Sequence, residues 1–338
     1  MLCRFPRLAS NAFTFLILAA FALPGRADDA QIRVGIIGLD TSHVVAFTGV
    51  LNRPDNTGDL AGVRVVAAFP GGSPDIPSSA DRVEGYTQQL REQGIEIVGS
   101  IEELLTKVDA VLLESVDGRP HLEQVRPVFA AGKPVFIDKP VAGSLADAIE
   151  IYRLSREYNV PCFSSSSLRF SPGILGMRNN EAIGRVLGCA AYSPCSLEPH
   201  HPDLFWYGVH GVETLFTIMG TGCESVSRVQ TADFEHVTGT WADGRIGTFR
   251  GIRSGAADYG AIVFGEKGIA PSGGYSGYEP LVVEIARFFK TGVPPVSAEE
   301  TLEIFAFMEA ADESKRQGGA PVTIESVMQR ATAASSGE

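Results

Sequence analysis

The residues best placed to do chemistry in this chain lie within 111–143, around the triplet Asp138-Lys139-Pro140. The apolar run Ala110-Val111-Leu112-Leu113 leads into a polar turn, and a helical segment follows over about 120–131. Pro134-Val135-Phe136-Ile137 then delivers Asp138 and Lys139. Strand, crossover helix and strand make the unit of a parallel sheet, whose ligands gather beyond the carboxyl ends of the strands. A lysine at that edge, its backbone stiffened by the following proline, faces the crevice where chemistry is usually done. The other reading is a lysine whose stem lies over the sheet edge while its ammonium stays in water. Pro199-His200-His201-Pro202-Asp203 also has metal-ligating residue types. Adjacent loop histidines point apart, however, and no third ligand follows at a helical offset, so no metal site is expected.

The elements that position these groups follow from pattern. Residues 32–38 read as a first strand, with Val34, Ile36 and Ile37 supplying β-branched side chains. Asp40-Thr41-Ser42 are helix-start residues for a segment reaching about Leu51. A second strand over 63–69 runs into the loop Pro70-Gly71-Gly72-Ser73-Pro74. A strand at 95–98, a helix over 101–108, the strand at 110–113, a helix over 145–158 and an extended run at 160–163 continue the alternation. This predicts an α/β fold whose N-terminal domain, residues 31–162, is a doubly wound Rossmann-type parallel sheet.

After Ser164-Ser165-Ser166-Ser167 the period becomes two, in runs at 186–192, 226–230, 236–241, 246–252 and 261–264. Turns such as Asp243-Gly244 separate them, which predicts a C-terminal α+β domain over 163–330 with a mostly antiparallel sheet. Helices over 207–219 and 281–290 accompany it. A last helix, 298–317, is expected to pack back on one of the two domains.

The chain has 338 residues, enough for two domains with sizeable cores. Arg4 and Arg7 precede an apolar run over 12–23 that ends in Pro24-Gly25-Arg26-Ala27. This reads as a signal peptide over 1–27, too short for a membrane span, which predicts export and no stable membrane anchor. Its removal takes away three arginines and no acids, moving the net charge from −12 to −15. So acidic a surface repels nucleic acid and anionic membranes, and nucleic-acid binding is excluded. Cys162, Cys189, Cys195 and Cys223 remain. They form no CxxC pair, so buried small hydrophobes are the expected role, with three disulfide pairings formally open.

Together these residues resemble the glucose–fructose oxidoreductase / inositol dehydrogenase / MocA (Gfo/Idh/MocA) family. The resemblance rests on Val34-Gly35-Ile36-Ile37-Gly38, on His121 before Gly132-Lys133, and on Asp138-Lys139-Pro140 in place of Glu-Lys-Pro. Arg169-Phe170, Gly208-Val209-His210, Gly292-Val293-Pro294-Pro295 and Ala310-Ala311 extend it through the tail. It implies an NAD(P)-dependent oxidoreductase acting on a hydroxyl of a carbohydrate or cyclitol, and a homodimer or homotetramer. Lys139 and His210 would be the catalytic pair, flanking the reacting hydroxyl. Cofactor binding would fall to Gly38, Thr41, Ser42, Ser115, His121 and Lys139. For the substrate the candidates are Arg169, Trp206 and Tyr207. The residues themselves leave alternatives: Glu213 satisfying His210, Arg169 in a salt bridge, Trp206 and Tyr207 in the core, and His121 packed at the start of its helix. His43, in the turn facing the crevice, is a further site candidate.

The chain departs from the family pattern in its cofactor region. The fingerprint G-x-G-x-x-G reads Gly38-Leu39-Asp40-Thr41-Ser42-His43, with two glycines replaced. Asp40 brings a carboxylate to a helix start that ought to attract phosphate. Either Asp40 or Ser42 caps that helix, or Asp40 turns aside and the Thr41 and Ser42 hydroxyls reach phosphate. The acid that would hold the ribose of NAD is absent after the second strand, which leans to NADP, with Ser73 and Arg82 near the extra phosphate. Trp206 replaces the aspartate usual four residues before the helix histidine. Ser115-Val116-Asp117 replaces a Thr-Pro-Asn turn. These departures keep a second function open: an exported sugar-binding protein, or a non-redox lyase or hydrolase, without the nucleotide.

Overall fold

Six short strands build the first sheet: β1 (Ile32–Ile37), β2 (Val63–Phe69), β3 (Glu96–Ile97), β4 (Ala110–Leu113), β5 (Val135–Ile137) and β6 (Cys162–Ser164), the last three buried throughout. In this computed structural model, which describes residues 1–2 and 31–336, they are all parallel in the order β3-β2-β1-β4-β5-β6. The expected leader, Met1 and Leu2 apart, lies outside the described residues. Continuous apolar runs such as Ala110–Leu113 are what a sheet covered on both faces requires. Strand order reverses between β1 and β4, and the crevice at such a switch point is where ligands bind.

Five helices connect these strands: α1 (His43–Leu51), α2 (Pro77–Glu92), α3 (Ile101–Leu105), α4 (His121–Ala130) and α5 (Leu145–Tyr158). Ser144 caps α5 by accepting the Asp147 N–H, and Asn159 ends it in the left-handed conformation at φ 53°. The sequence reading left 75–94 without an element. Only Ser79, Thr87 and Leu90 of α2 are buried, so the helix carries no apolar stripe to announce it.

The second sheet has seven strands: β7 (Val186–Pro194), β8 (Cys223–Gln230), β9 (Phe234–Trp241), β10 (Ile246–Ile252), β11 (Gly260–Gly265), β12 (Ile269–Pro271) and β13 (Val322–Thr323). Their order is β12-β11-β7-β10-β9-β8-β13, antiparallel except for the central pair β7–β10. Two short helices, α6 (Pro172–Leu175) and α7 (Asp203–Trp206), precede α8 (Val209–Met219), all eleven residues of which are buried. That helix lies on the sheet at Gly211, where a Cβ would sit 2.2 Å from the Phe249 ring. Only glycine allows this approach, and it fixes the height of the neighbouring His210.

Three more helices follow: α9 (Glu279–Thr291), α10 (Ala298–Arg316) and α11 (Ile324–Ser336). The expected final helix, α10, is therefore followed by another. The chain also crosses back to the first sheet. Leu281, Val282, Ile285 and Phe288 of α9 share one core with Val34, Ile36 and Phe47, and α10 and α11 pack on α5. The four cysteines among the described residues, Cys162, Cys189, Cys195 and Cys223, are buried and free, as small apolar side chains. No helix among the described residues is long and apolar enough to cross a membrane.

Candidate active site

A cavity of about 400 Å³ opens at the carboxyl edge of the first sheet, within the size range of small-molecule pockets. Thr41, Ser42 and His43 line it from the β1–α1 turn, Ser78 and Arg82 from α2, and Lys139 from the segment after β5. Trp206, Tyr207 and His210 line it from α7 and α8, and Tyr259, Tyr275 and Tyr278 from beyond β10. The expected pair Lys139 and His210 thus reaches one cavity from two different sheets.

Lys139 is only 7% exposed, and the peptide bond to Pro140 is cis. Its Nζ lies 6.0 Å from the centre of the Tyr207 ring. That ring meets the His210 imidazole edge-on at 5.0 Å, and the Tyr207 hydroxyl is 2.9 Å from that of Tyr259. Burial, then the neighbouring Lys139 and His43, pushes the His210 imidazole well below its ordinary value, so it is neutral at pH 7. Its Nδ1 lies 2.7 Å from Ser166 Oγ. Glu213 is not its partner. That carboxylate accepts the Ser165 hydroxyl, the Ser166 N–H and Arg169 Nε, each at 2.7 Å. Arg169, expected at the substrate, is instead buried between Glu213 on α8 and Glu300 on α10. It anchors the serine linker that supports His210 and does not line the cavity.

The β1–α1 turn resolves the altered fingerprint. Gly38 has φ +87°, and a Cβ there would lie 2.4 Å from Ser115 Oγ, so the first glycine keeps its role. Asp40 neither caps α1 nor faces the cavity. Its carboxylate accepts the Ser79 hydroxyl at 2.6 Å and the Val116 N–H at 2.9 Å, fully buried, and burial pushes its pKa up. Ser42 makes no side-chain cap either; the Thr41 hydroxyl accepts the His43 N–H at 3.5 Å, and both hydroxyl-bearing residues line the cavity. His43, at the third glycine's place, turns to the sheet edge, with Nδ1 2.7 Å from Asp138 Oδ2 and 3.8 Å from Glu114 Oε2. Burial, then Asp138, holds the Glu114 carboxyl well above its ordinary range. Asp138 stays below its own range because His43 and Lys139 outweigh its burial.

Other expected residues lie elsewhere. Ser115 donates its hydroxyl to Gln124, and His121 is fully buried between the carbonyls of Ser115 and Val141, so neither faces the cavity. Ser73 donates to Asp117, leaving Arg82 as the guanidinium of this region that lines the cavity. The adjacent histidines do point apart. His200 bonds Glu198, whereas His201 sits 3.0 Å from Asp117 and packs on Trp206.

Sequence reasoning missed Glu114 and the tyrosine wall. The tyrosines sit in a Gly- and Ser-rich stretch, and their number was the available signal. The loop that carries Tyr275 and Tyr278 is tied to α6, where the Gly173 and Gly273 backbones touch: a Cβ on Gly173 would lie 2.5 Å from Gly273 Cα. The Ser276 N–H also donates to Ser171 Oγ at 3.2 Å.

Residues 32–166 match the model of the Gfo/Idh/MocA oxidoreductase family, described as an NAD-binding Rossmann fold. The chain is 35% identical over 131 residues to a 1,5-anhydro-D-fructose reductase of Ensifer adhaerens, covering 37% of this chain and 38% of that one. It is 30% identical over 123 residues to inositol 2-dehydrogenase 3 of Saccharopolyspora erythraea, covering 36% and 31%. The chain thus spans well under half the length of these curated relatives. Over the whole fold it superposes on a probable dehydrogenase from Thermotoga maritima with a TM-score of 0.71 at 21% identity, covering 88% of this chain and 100% of that one. For scyllo-inositol dehydrogenase from Lactobacillus casei with bound NAD(H) and scyllo-inositol the TM-score is 0.68 at 15% identity, covering 87% and 99%.

Proposed function

We propose, from the match of residues 32–166 to the Gfo/Idh/MocA oxidoreductase family model, that this chain is an oxidoreductase of that kind and that it oxidises or reduces a carbohydrate or cyclitol hydroxyl with NAD(P). The observation that carries this reading is the meeting of Lys139 and His210 in one cavity. The residues present fit the phosphate end of the cofactor. Gly38 keeps its cradle, Asp40 is turned inward, and the Thr41, Ser42 and Ser78 hydroxyls with Arg82 face the cavity. The nicotinamide, when bound, supplies hydride transfer. Neutral His210 accepts the hydroxyl proton at Nε2 when its Nδ1–H is donated to Ser166. The Lys139 ammonium steadies the charge developing on the same oxygen. Tyr207 and Trp206 offer ring faces to the apolar side of a sugar. Arg82, with no acid in place for the ribose, favours NADP over NAD.

The leader-like residues 1–27 support export, checked by N-terminal sequencing of secreted protein for cleavage near Ala27. The activity is tested by mass spectrometry of the purified chain for bound dinucleotide and by NADPH and NADH fluorescence titration. Lys139→Met and His210→Gln should each abolish turnover, with nucleotide still bound by the His210→Gln variant. Absence of binding at millimolar NADPH and NADH, with a sugar raising the melting temperature alone, would replace this reading with that of a nucleotide-free sugar-binding or lyase fold.

A further inference from the structure

The departures from the family pattern at the base of the cavity converge in space. His43 stands for the third fingerprint glycine, Asp138 for the glutamate of Glu-Lys-Pro, and Glu114 directly follows β4. One potential ligand atom from each lies within 4.8 Å of the other two, and all three residues are buried. Both Glu114 oxygens and Asp138 Oδ1 have no hydrogen-bond partner, with Glu114 fully buried and Asp138 1% exposed. We propose that His43, Glu114 and Asp138 form a binding site for one divalent transition cation, Zn²⁺ or Mn²⁺.

Two carboxylates brought together out of water need a counter-charge, and each buried polar atom needs a partner. A proton on Glu114 would cancel one charge. In the structure, however, no donor reaches either Glu114 oxygen or Asp138 Oδ1. A cation meets both needs at once. Ligand atoms about 2.1 Å from a common ion stand roughly 3.0–3.4 Å apart in tetrahedral or octahedral geometry. The 2.7 Å and 3.8 Å separations from His43 Nδ1 straddle that range, and the two carboxylates offer oxygens within 4.8 Å of each other, so side-chain adjustment gathers the three round one ion. One imidazole nitrogen with two carboxylates is a donor set for borderline or hard divalent ions, not for thiophilic ones. Because His43 lines the cavity, water completes the coordination from that side. The ion would clamp the start of α1 to the ends of β4 and β5, replacing the close helix–strand contact that a third glycine provides.

The test uses the full chain, without nucleotide or sugar, so its outcome is independent of the proposed redox activity. Protein dialysed against a chelator is titrated separately with Zn²⁺ and Mn²⁺, desalted, and its metal content measured by mass spectrometry. One ion per chain is expected with at least one of the two metals, with a higher melting temperature on loading. Glu114→Gln and His43→Ala should weaken binding at least tenfold while keeping a native circular dichroism spectrum. Should either variant fail to fold, X-ray absorption on the loaded wild-type chain decides: a nitrogen/oxygen shell with one imidazole supports the site, and sulfur ligation overturns it. Failure to retain either ion, or unchanged stoichiometry in folded Glu114→Gln, also overturns it.

Discussion

Replacing Arg169 by methionine separates an architectural arginine from a substrate-binding one. The guanidinium is buried, with two charge-assisted bonds of 2.7 Å, to Glu213 and Glu300. Glu300 retains Arg178 at 3.5 Å and some contact with water. Glu213 has no other cation among the described residues and is left with the Ser165 hydroxyl and the Ser166 N–H. Removing one member of a buried ion pair costs about 3–5 kcal/mol, because the remaining charge is stranded. Arg169→Met should therefore lower unfolding free energy by about that amount in reversible urea denaturation, followed by tryptophan fluorescence. Glu213→Gln in the same chain removes the stranded charge. The double variant should then be more stable than the sum of the singles predicts, by about 1–3 kcal/mol. A loss below about 1 kcal/mol in Arg169→Met, or strict additivity, would refute the reasoning. Weakened ligand binding at unchanged stability would return Arg169 to the substrate.

Gly38→Ala should destabilise by about 2–5 kcal/mol, combining the left-handed backbone cost with overpacking against the Ser115 backbone 2.5 Å away; denaturant midpoints check it, and a loss under about 1 kcal/mol contradicts it. His210, whose folded pKa is depressed, takes up its proton at lower pH when folded than when unfolded. Its stabilising contribution is thus present above the ordinary value near 6.5 and is lost as pH falls below it, by up to about 1.4 kcal/mol per pH unit. Wild type should therefore lose stability faster than His210→Gln between pH 6.5 and 5, and parallel melting profiles would contradict this.

The first sheet was legible because its strands are continuous apolar runs and its helices carry punctuation such as Ser144 and Asn159. Helix α2 escaped because its buried residues are few and polar or widely spaced. The return of α9 to the first sheet escaped for another reason: periodicity shows that a helix has an apolar face, not which core receives it. Lys139 was readable from its place after a strand and His210 only through resemblance. Arg169, Ser115 and His121 were misplaced by that same resemblance, since type and position do not reveal which carboxylate or carbonyl a buried side chain will meet. Glu114 was silent, because a single acid after a strand has no pattern until the fold brings His43 and Asp138 beside it.

The touching backbones of Gly173 and Gly273 have a consequence for what the cavity accepts. With its root pinned there and at Ser171, the loop bearing Tyr275 and Tyr278 has its contour set before any guest arrives. Little ordering entropy is then lost on docking, and selection falls on the guest's outline: a ring that suits the gap is held by a ready-made aromatic rim, while a bulkier one must break the tether first.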